Sequence, residues 1–226
     1  AMSFIMPLGG DFEYVTLGAM VSAPFGLKTE YDSDWQGRYH ALDSDVKIID
    51  LTLAASVELG DHFSAGLGAV IERSDVTLSN ASDFGTALCG NPATQALCCM
   101  PNPITGPFGP QKNDGEVEVH GTDTSLGFIA GLSLRPSDTL SLGYSYRSEV
   151  DHRLSGDAEF TVPTNVANIL AATGQYVDTG ATARLTTPSV HTLSATWQAT
   201  DRLALMAETS LTGWSSLREI RIEFDN

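Results

Sequence analysis

Residues 140–160 read LSLGYSYRSEVDHRLSGDAEF and alternate between two faces from end to end. One parity carries Leu140, Leu142, Tyr144, Tyr146, Val150, Leu154 and Phe160, and the other Ser141, Arg147, Glu149, Asp151, Arg153, Asp157 and Glu159. A period of two is the signature of a strand with opposite faces. Strands in soluble domains usually end after about 5–6 residues, and no proline interrupts this run. A strand of that length crosses a thick layer.

The same alternation recurs along the chain. Reading for it and for turn residues gives about eight candidate strands, at 3–8, 12–25, 46–59, 62–78, 117–135, 139–160, 182–199 and 202–224. Short links at 9–11, 60–61, 136–138 and 200–201 alternate with long ones at about 26–45, 79–116 and 161–181. In an up-and-down meander all tight turns then fall at one end of the sheet and all long loops at the other. Bacterial outer-membrane barrels have this asymmetry; soluble sandwiches rarely do. The expected fold is all-β, an antiparallel up-and-down transmembrane β-barrel. Leu126, Phe128, Leu132 and Leu134 would face lipid, and Ser125, Gly127, Gly131 and Ser133 the lumen. Arg147 and Arg153, on one parity with Glu149 and Asp151, read as a lumen ladder of opposite charges.

Composition removes several function classes. The chain has 28 acidic against 12 basic residues and a formal charge of -16, which opposes nucleic-acid binding, since phosphate contacts need clustered cations. No apolar run is long enough for a membrane helix. The start, AMSFIMPLGG, shows no signal-peptide pattern. Cys89, Cys98 and Cys99 lie in one Gly/Pro-rich stretch without the ligand spacing of a metal site; they are either free thiols or, in an oxidising compartment, a disulfide closing the segment. Asp32, Asp34, Asp43 and Asp45 read as a solvated acidic loop, with calcium or lipopolysaccharide bridging as the alternative. No cofactor is implied, and no enzyme: Asp151 and His152 are neighbours and so face opposite sides, and His120, Asp123 and Ser125 form no triad pattern.

Four segments, FIMPLGGDFEYVTLGAMVSAPFGLKTEY, FSAGLGAVIERSDVTLS, LGYSYRSEVDHRLSGDAEF and ALMAETSLTGWSSLREI, resemble in order and spacing the long-chain fatty acid transporter (FadL) family of Gram-negative outer membranes. That resemblance implies a fourteen-stranded barrel plugged by an N-terminal hatch. This chain would supply about eight of the strands, residues 1–226 forming a partial barrel without the hatch or the C-terminal strands. It implies monomeric, passive uptake of fatty acids or similar hydrophobic compounds, among outer-membrane lipid and lipopolysaccharide. A general porin is the alternative.

Transport of an amphiphile needs an apolar groove, a group for the carboxylate and an exit. The long loops offer Phe84, Leu88, Leu97, Met100, Ile104 and Phe108, and Val166, Ile169, Leu170 and Tyr176. The latter read as a short helix capped by Thr164 and ended by Gly174; the resemblance implies that these outward loops capture substrate first. Arg73 resembles a carboxylate-binding arginine of the family, and a guanidinium presents a planar fork to two oxygens. In Pro24, Phe25 and Gly26, a proline that removes a ladder donor precedes a glycine. The resemblance implies that this kinked strand is a lateral opening.

Overall fold

The computed structural model describes residues 1–98, 106–217 and 219–225. One antiparallel sheet contains β1 (Met2–Pro7), β2 (Val15–Ser22), β3 (Gly26–Glu30), β4 (Asp43–Glu58), β5 (Phe63–Asp83) and β6 (Asp114–Ser137). It continues through β7 (Leu140–Arg147), β8 (Val150–Thr161), β9 (Thr179–Thr187), β10 (Val190–Thr200), β11 (Leu203–Thr212) and β12 (Ile222–Phe224). Its hydrogen-bonded path is β1-β2-β4-β5-β6-β7-β10-β11, with β3 on β4, β8 between β6 and β9, and β12 on β9. β2 and β3, β7 and β8, β10 and β9, and β11 and β12 therefore each form one line of the wall with a short break in it. The sheet is a wall that does not close on itself. Three helices sit in the long loops: α1 (Phe84–Gly90), α2 (Pro92–Cys98) and α3 (Thr164–Ala171).

The expected rhythm of turns is present, with tight connections at 59–62, 138–139 and 201–202 and long ones at 31–42, 84–113 and 162–178. Gly60 makes the first of these with φ +77°, a conformation that costs glycine little. The expected strand at 139–160 is broken, however. The ladder of β7 ends at Arg147 and that of β8 begins at Val150, and the facing parity switches between them. Arg147 consequently points inward, while Asp151 and Arg153 are exposed on the outer face. The charge ladder expected along one face does not exist. Ser148 makes the break tolerable, because its amide donates to the Phe128 carbonyl at 2.9 Å and its hydroxyl accepts from the Phe128 amide at 3.0 Å.

The two faces differ in chemistry and, along the strand, the outer one changes character. From Phe63 to Ile71 on β5, and on the paired residues Leu134 to Leu126 of β6, the outer parity is Phe63, Ala65, Leu67, Ala69, Ile71 and Leu134, Leu132, Ala130, Phe128, Leu126. Leu67 and Leu126 are 65% and 75% exposed, with no protein against them. That band spans about nine residues, the length a tilted strand needs to cross hydrocarbon. One step further the outer face becomes Arg73, Asp75 and Thr77 beside Thr124, Thr122 and His120. Strands of 21 and 24 residues thus carry the wall well beyond the apolar layer.

Leu67 pairs with Ala130 at the centre of this band. Replacing Leu67 by Arg should cost about 2–4 kcal/mol, and the same change at Thr77, beyond the band, about 0–1 kcal/mol. Urea titration of the protein folded into phosphatidylcholine vesicles measures both. Equal costs at the two positions would contradict the assignment of the layer.

Candidate functional site

The inward face is layered from the tight-turn end to the long-loop end. Lowest is a small-residue wall of Gly18, Ala54, Gly66, Gly131 and Ser145, lining a cleft of about 310 Å3 with Ile5, Thr16 and Ile129. At Gly68, in the same wall, a Cβ would come within 2.8 Å of the Ala54 Cβ and 2.9 Å of the Leu53 carbonyl. A wider cleft of about 700 Å3, between Phe4, Leu17, Leu53, Leu67 and Phe128, opens on the lipid face instead. It suits acyl chains and is no part of the interior.

Above the small-residue wall lies a floor of charged side chains. The Arg147 guanidinium lies 2.5 Å from Asp50 and also bonds Glu72. His152 places Nε2 2.8 Å from Glu72 and Nδ1 2.8 Å from Asp123, which accepts from the Ser125 hydroxyl at 2.6 Å. The Thr187 hydroxyl donates to Glu72 at 2.7 Å. These residues come from β4, β5, β6, β7, β8 and β9, so the cluster ties most of the wall together. It is imperfectly satisfied: the Asp50 pair is close but misaligned, and both Asp50 carboxylate oxygens and the Arg147 Nε lack a hydrogen bond. With a carboxylate at each ring nitrogen, His152 has no free nitrogen to serve as a general base. The link between His152 and Asp123 was not visible in the sequence, where 29 positions separate them.

Immediately above that floor the interior is apolar. Ile48, Val76, Leu154 and Leu185 are buried together, with Phe25, Val46, Leu78, Leu217 and Ile220 against them. Here a cavity of about 340 Å3 is bounded by Pro24, Phe25, Gly26, Leu27, Ile48, Leu185, Pro188 and Trp214. Phe25 meets Trp214 edge to face, centroids 5.8 Å apart, and the Arg147 guanidinium lies 5.9 Å from the Phe25 ring centroid. The ladder between β2 and β4 ends at Ser22 with Asp50, and pairing resumes at Gly26 with Lys47. Beyond Pro24, β3 pairs with β4 alone among the described strands. Pro24, Phe25 and Gly26 therefore mark a gap in the wall beside an apolar cavity.

The loop residues converge at the top. Phe84, Leu88, Val166 and Leu170 form a buried cluster, with Cys89, Phe108, Ile169 and Tyr176 around it; Tyr176 stands edge to face on Phe84 at 5.1 Å. Phe84, Leu88 and Val166 are 0% exposed, so here the cluster is a packed core and not an open groove. Asp83 starts α1 by accepting from the Thr86 amide at 2.9 Å, a capping signal that the sequence reading missed. Pro163 and not Thr164 caps α3, and Gly174, at φ +69°, follows its end. Cys89 is in a disulfide. Met100, Ile104 and Cys99 lie outside the described residues, as do the side chains of Leu97 and Cys98. Below this cluster, in the loop before β4, Tyr39 donates to Asp114 at 2.8 Å, and burial pushes its hydroxyl up to about 12.

Arg73 is not part of this interior. It is exposed on the outer parity between Ile49 and Thr124, because the strand continues straight through Glu72 without the parity change expected there. The head-group role expected of Arg73 thus has no lumen position to act from, and the inward guanidinium at that level is Arg147.

The family model described as outer membrane protein transport protein (OMPP1/FadL/TodX) matches residues 1–226. Outer membrane protein P1 of Haemophilus influenzae is 27% identical over 99% of this chain and 47% of its own length. The long-chain fatty acid transport protein of Escherichia coli O6:H1 is 25% identical over 100% and 50%. A crystal structure of a Pseudomonas aeruginosa FadL homologue superposes with a TM-score of 0.83 at 25% identity, covering 99% of this chain and 50% of that one. The Ralstonia pickettii toluene transporter TbuX shares the fold, with a TM-score of 0.70 at 17% identity over 98% and 56%. The chain spans about half the length of the curated relatives it matches. Its twelve-stranded antiparallel wall, apolar outside and layered inside, is part of an outer-membrane β-barrel, and the chain belongs to the OMPP1/FadL/TodX family of outer membrane transport proteins.

Proposed function

We propose that this wall takes up long-chain fatty acids or similar hydrophobic compounds passively and releases them sideways into the membrane. The observation that carries this reading is the apolar cavity beside the break at Pro24–Gly26, directly above a charged floor. A hydrophobe in that cavity has two ways to go. Downward it meets Arg147, Asp50 and Glu72, whose desolvation would cost several kcal/mol. Sideways it meets the gap in the ladder and then hydrocarbon. The difference in solvation directs it outward, and no energy source or covalent step is needed.

Capture begins at the top, where Phe84, Leu88, Phe108, Val166, Ile169, Leu170 and Tyr176 supply the apolar surface. Since the core of this cluster is closed, a ligand enters by parting α1 from α3. The names of the relatives support both acyl and monoaromatic cargo, and a cavity of about 340 Å3 accommodates an aromatic hydrocarbon or a length of acyl chain. The floor holds Asp50, Glu72 and Asp123 against Arg147 and His152. It therefore offers no surplus positive charge to a fatty acid, whose carboxylate stays toward the loop end.

At Gly26 an added Cβ would meet only the Val46 carbonyl, at 3.7 Å, so a side chain can be placed in the mouth of the gap without backbone strain. Gly26→Phe should lower vesicle uptake of oleate and of toluene together, several-fold, with the protein still folded. Undiminished uptake of both would exclude this exit; a general porin would also conduct small ions without preference for hydrophobes.

Removing Arg147 leaves Asp50 and Glu72 buried without their cation. Arg147→Met should destabilise the folded protein by about 3–5 kcal/mol, and Asp50→Asn with Glu72→Gln in the same chain should restore most of that loss. Urea midpoints of the three proteins in one detergent provide the measurement. An Arg147→Met midpoint equal to that of the parent would show that the floor does not hold the wall together.

A further inference from the structure

Four arginines share one row on the outside of the wall. Arg73 of β5 pairs with Thr124 of β6. The register of β6 with β8, Thr122 with Ser155, continues to bring Arg153 beside Thr124. Arg153 pairs with Arg184 of β9, and Ile222 pairs with Ala183, which brings Arg221 beside Arg184. All four project outward, because their neighbours Glu72, His152, Leu154 and Leu185 are buried on the inner face and Ile220 packs there with them.

Such a row is unfavourable in isolation. Like charges directly opposite one another destabilise a sheet, and strands stand only about 4.8 Å apart. The chain as a whole is strongly acidic, with 12 basic residues in all, yet a third of them gather here. Carboxylates are near at hand but do not neutralise the row. Asp151 accepts from the Thr186 hydroxyl at 2.6 Å, and Glu219 lies 3.2 Å from Arg221. Arg73, Arg153 and Arg184 form no ion pair among the described residues. Between Arg153, Arg184 and Arg221 lies a cleft of about 300 Å3, also bordered by Ser155, Thr182 and Glu223. The hydroxyls add donors to three guanidiniums that converge on one space.

The depth of the row identifies what fills it. Leu126 and Ile71 end the apolar band, and Thr124 and Arg73 are the next residues on the same face. Strand tilt places the members of the row a few Å apart in height, at and just above the outer edge of the hydrocarbon. That is the headgroup layer, whose phosphates are held bidentately by guanidinium groups. We infer that Arg153, Arg184 and Arg221, flanked by Arg73, form a binding site for the phosphate groups of a phosphorylated lipid of the outer leaflet. The site neutralises the row, fixes the height of the wall in the membrane, and is independent of the cargo carried inside. It assigns Arg73 a place outside the transport path.

The test uses the whole protein in detergent, titrated with diphosphoryl lipid A and followed by native mass spectrometry. Arg153→Ala with Arg184→Ala should weaken binding about 30-fold. Arg153→Lys with Arg184→Lys, which keeps the charge and loses the fork, should fall between that variant and the parent. Arg135→Ala with Arg202→Ala, at the tight-turn end, should bind as the parent does. Lipid A stripped of its phosphates should bind all four proteins equally weakly, and 5 mM inorganic phosphate should not displace the phosphorylated lipid. The inference is overturned if the double alanine variant binds diphosphoryl lipid A as tightly as the parent, or if removing the phosphates makes no difference. Complete displacement by 5 mM phosphate would overturn the lipid as the source of the anion.

Discussion

Hydrocarbon offers no partner for a backbone amide, so every N–H and C=O in the apolar layer has to find one within the wall. Between Phe63 and Ile71 that condition is met by continuous ladders on both sides of β5, from β4 and from β6. Breaks in the ladder are therefore affordable only where the wall has left the lipid or where something else satisfies the backbone. β2/β3, β7/β8, β10/β9 and β11/β12 all break close to the row that runs through Asp50, Glu72 and Arg147. That row coincides with the outer edge of the band. Side chains and local bonds take over there: the Ser148 hydroxyl receives the Phe128 amide at 3.0 Å, and the Gly213 amide donates to the Ser189 carbonyl at 2.9 Å.

The charged floor stands at the same level for a related reason. Where strands bend apart, cross-strand ladder bonds no longer fix their separation, and long polar side chains can do so instead. Arg147 at the end of β7, Thr187 at the end of β9 and His152 near the start of β8 all reach Glu72 in the middle of β5. The arrangement includes buried atoms without partners, on Asp50, Ser74 and Arg147. Buried ionic clusters often contribute little net stability while leaving few alternative arrangements open. In this wall the consequence is positional: the floor, the gap at Pro24–Gly26 and the apolar cavity are held in one register.

Much of the architecture was legible because strand periodicity and turn chemistry are local properties. The eight lines of the wall, the alternation of tight and long connections, the greasy outer parity and the small inner parity could all be read from neighbours in sequence. The kink at Pro24 carried a local signal too. Ser148–Glu149 carried none, since neither residue is excluded from a strand, and the switch of parity there is imposed by the partners of β7 and β8. That single break misplaced Arg153 and Asp151. The position of Arg73 was legible by counting from Leu67; a resemblance drew it inward against its parity. The bond from His152 to Asp123 and the convergence of Asp50 and Glu72 on Arg147 were not legible, because they depend on registers between strands far apart in the chain.

Inside and outside, the wall solves opposite problems with the same residue type at nearly the same depth. Arg147, facing in, is enclosed by carboxylates and leaves the interior without surplus positive charge. One residue along the strand from Glu72, Arg73 faces out, and with Arg153 and Arg184 it is left without an acidic partner among the described residues. The overall charge of -16 does not describe either face. What a barrel strand presents to its surroundings is decided by parity and height, and a shift of one residue exchanges an arginine that organises the interior for one that meets the lipid headgroups.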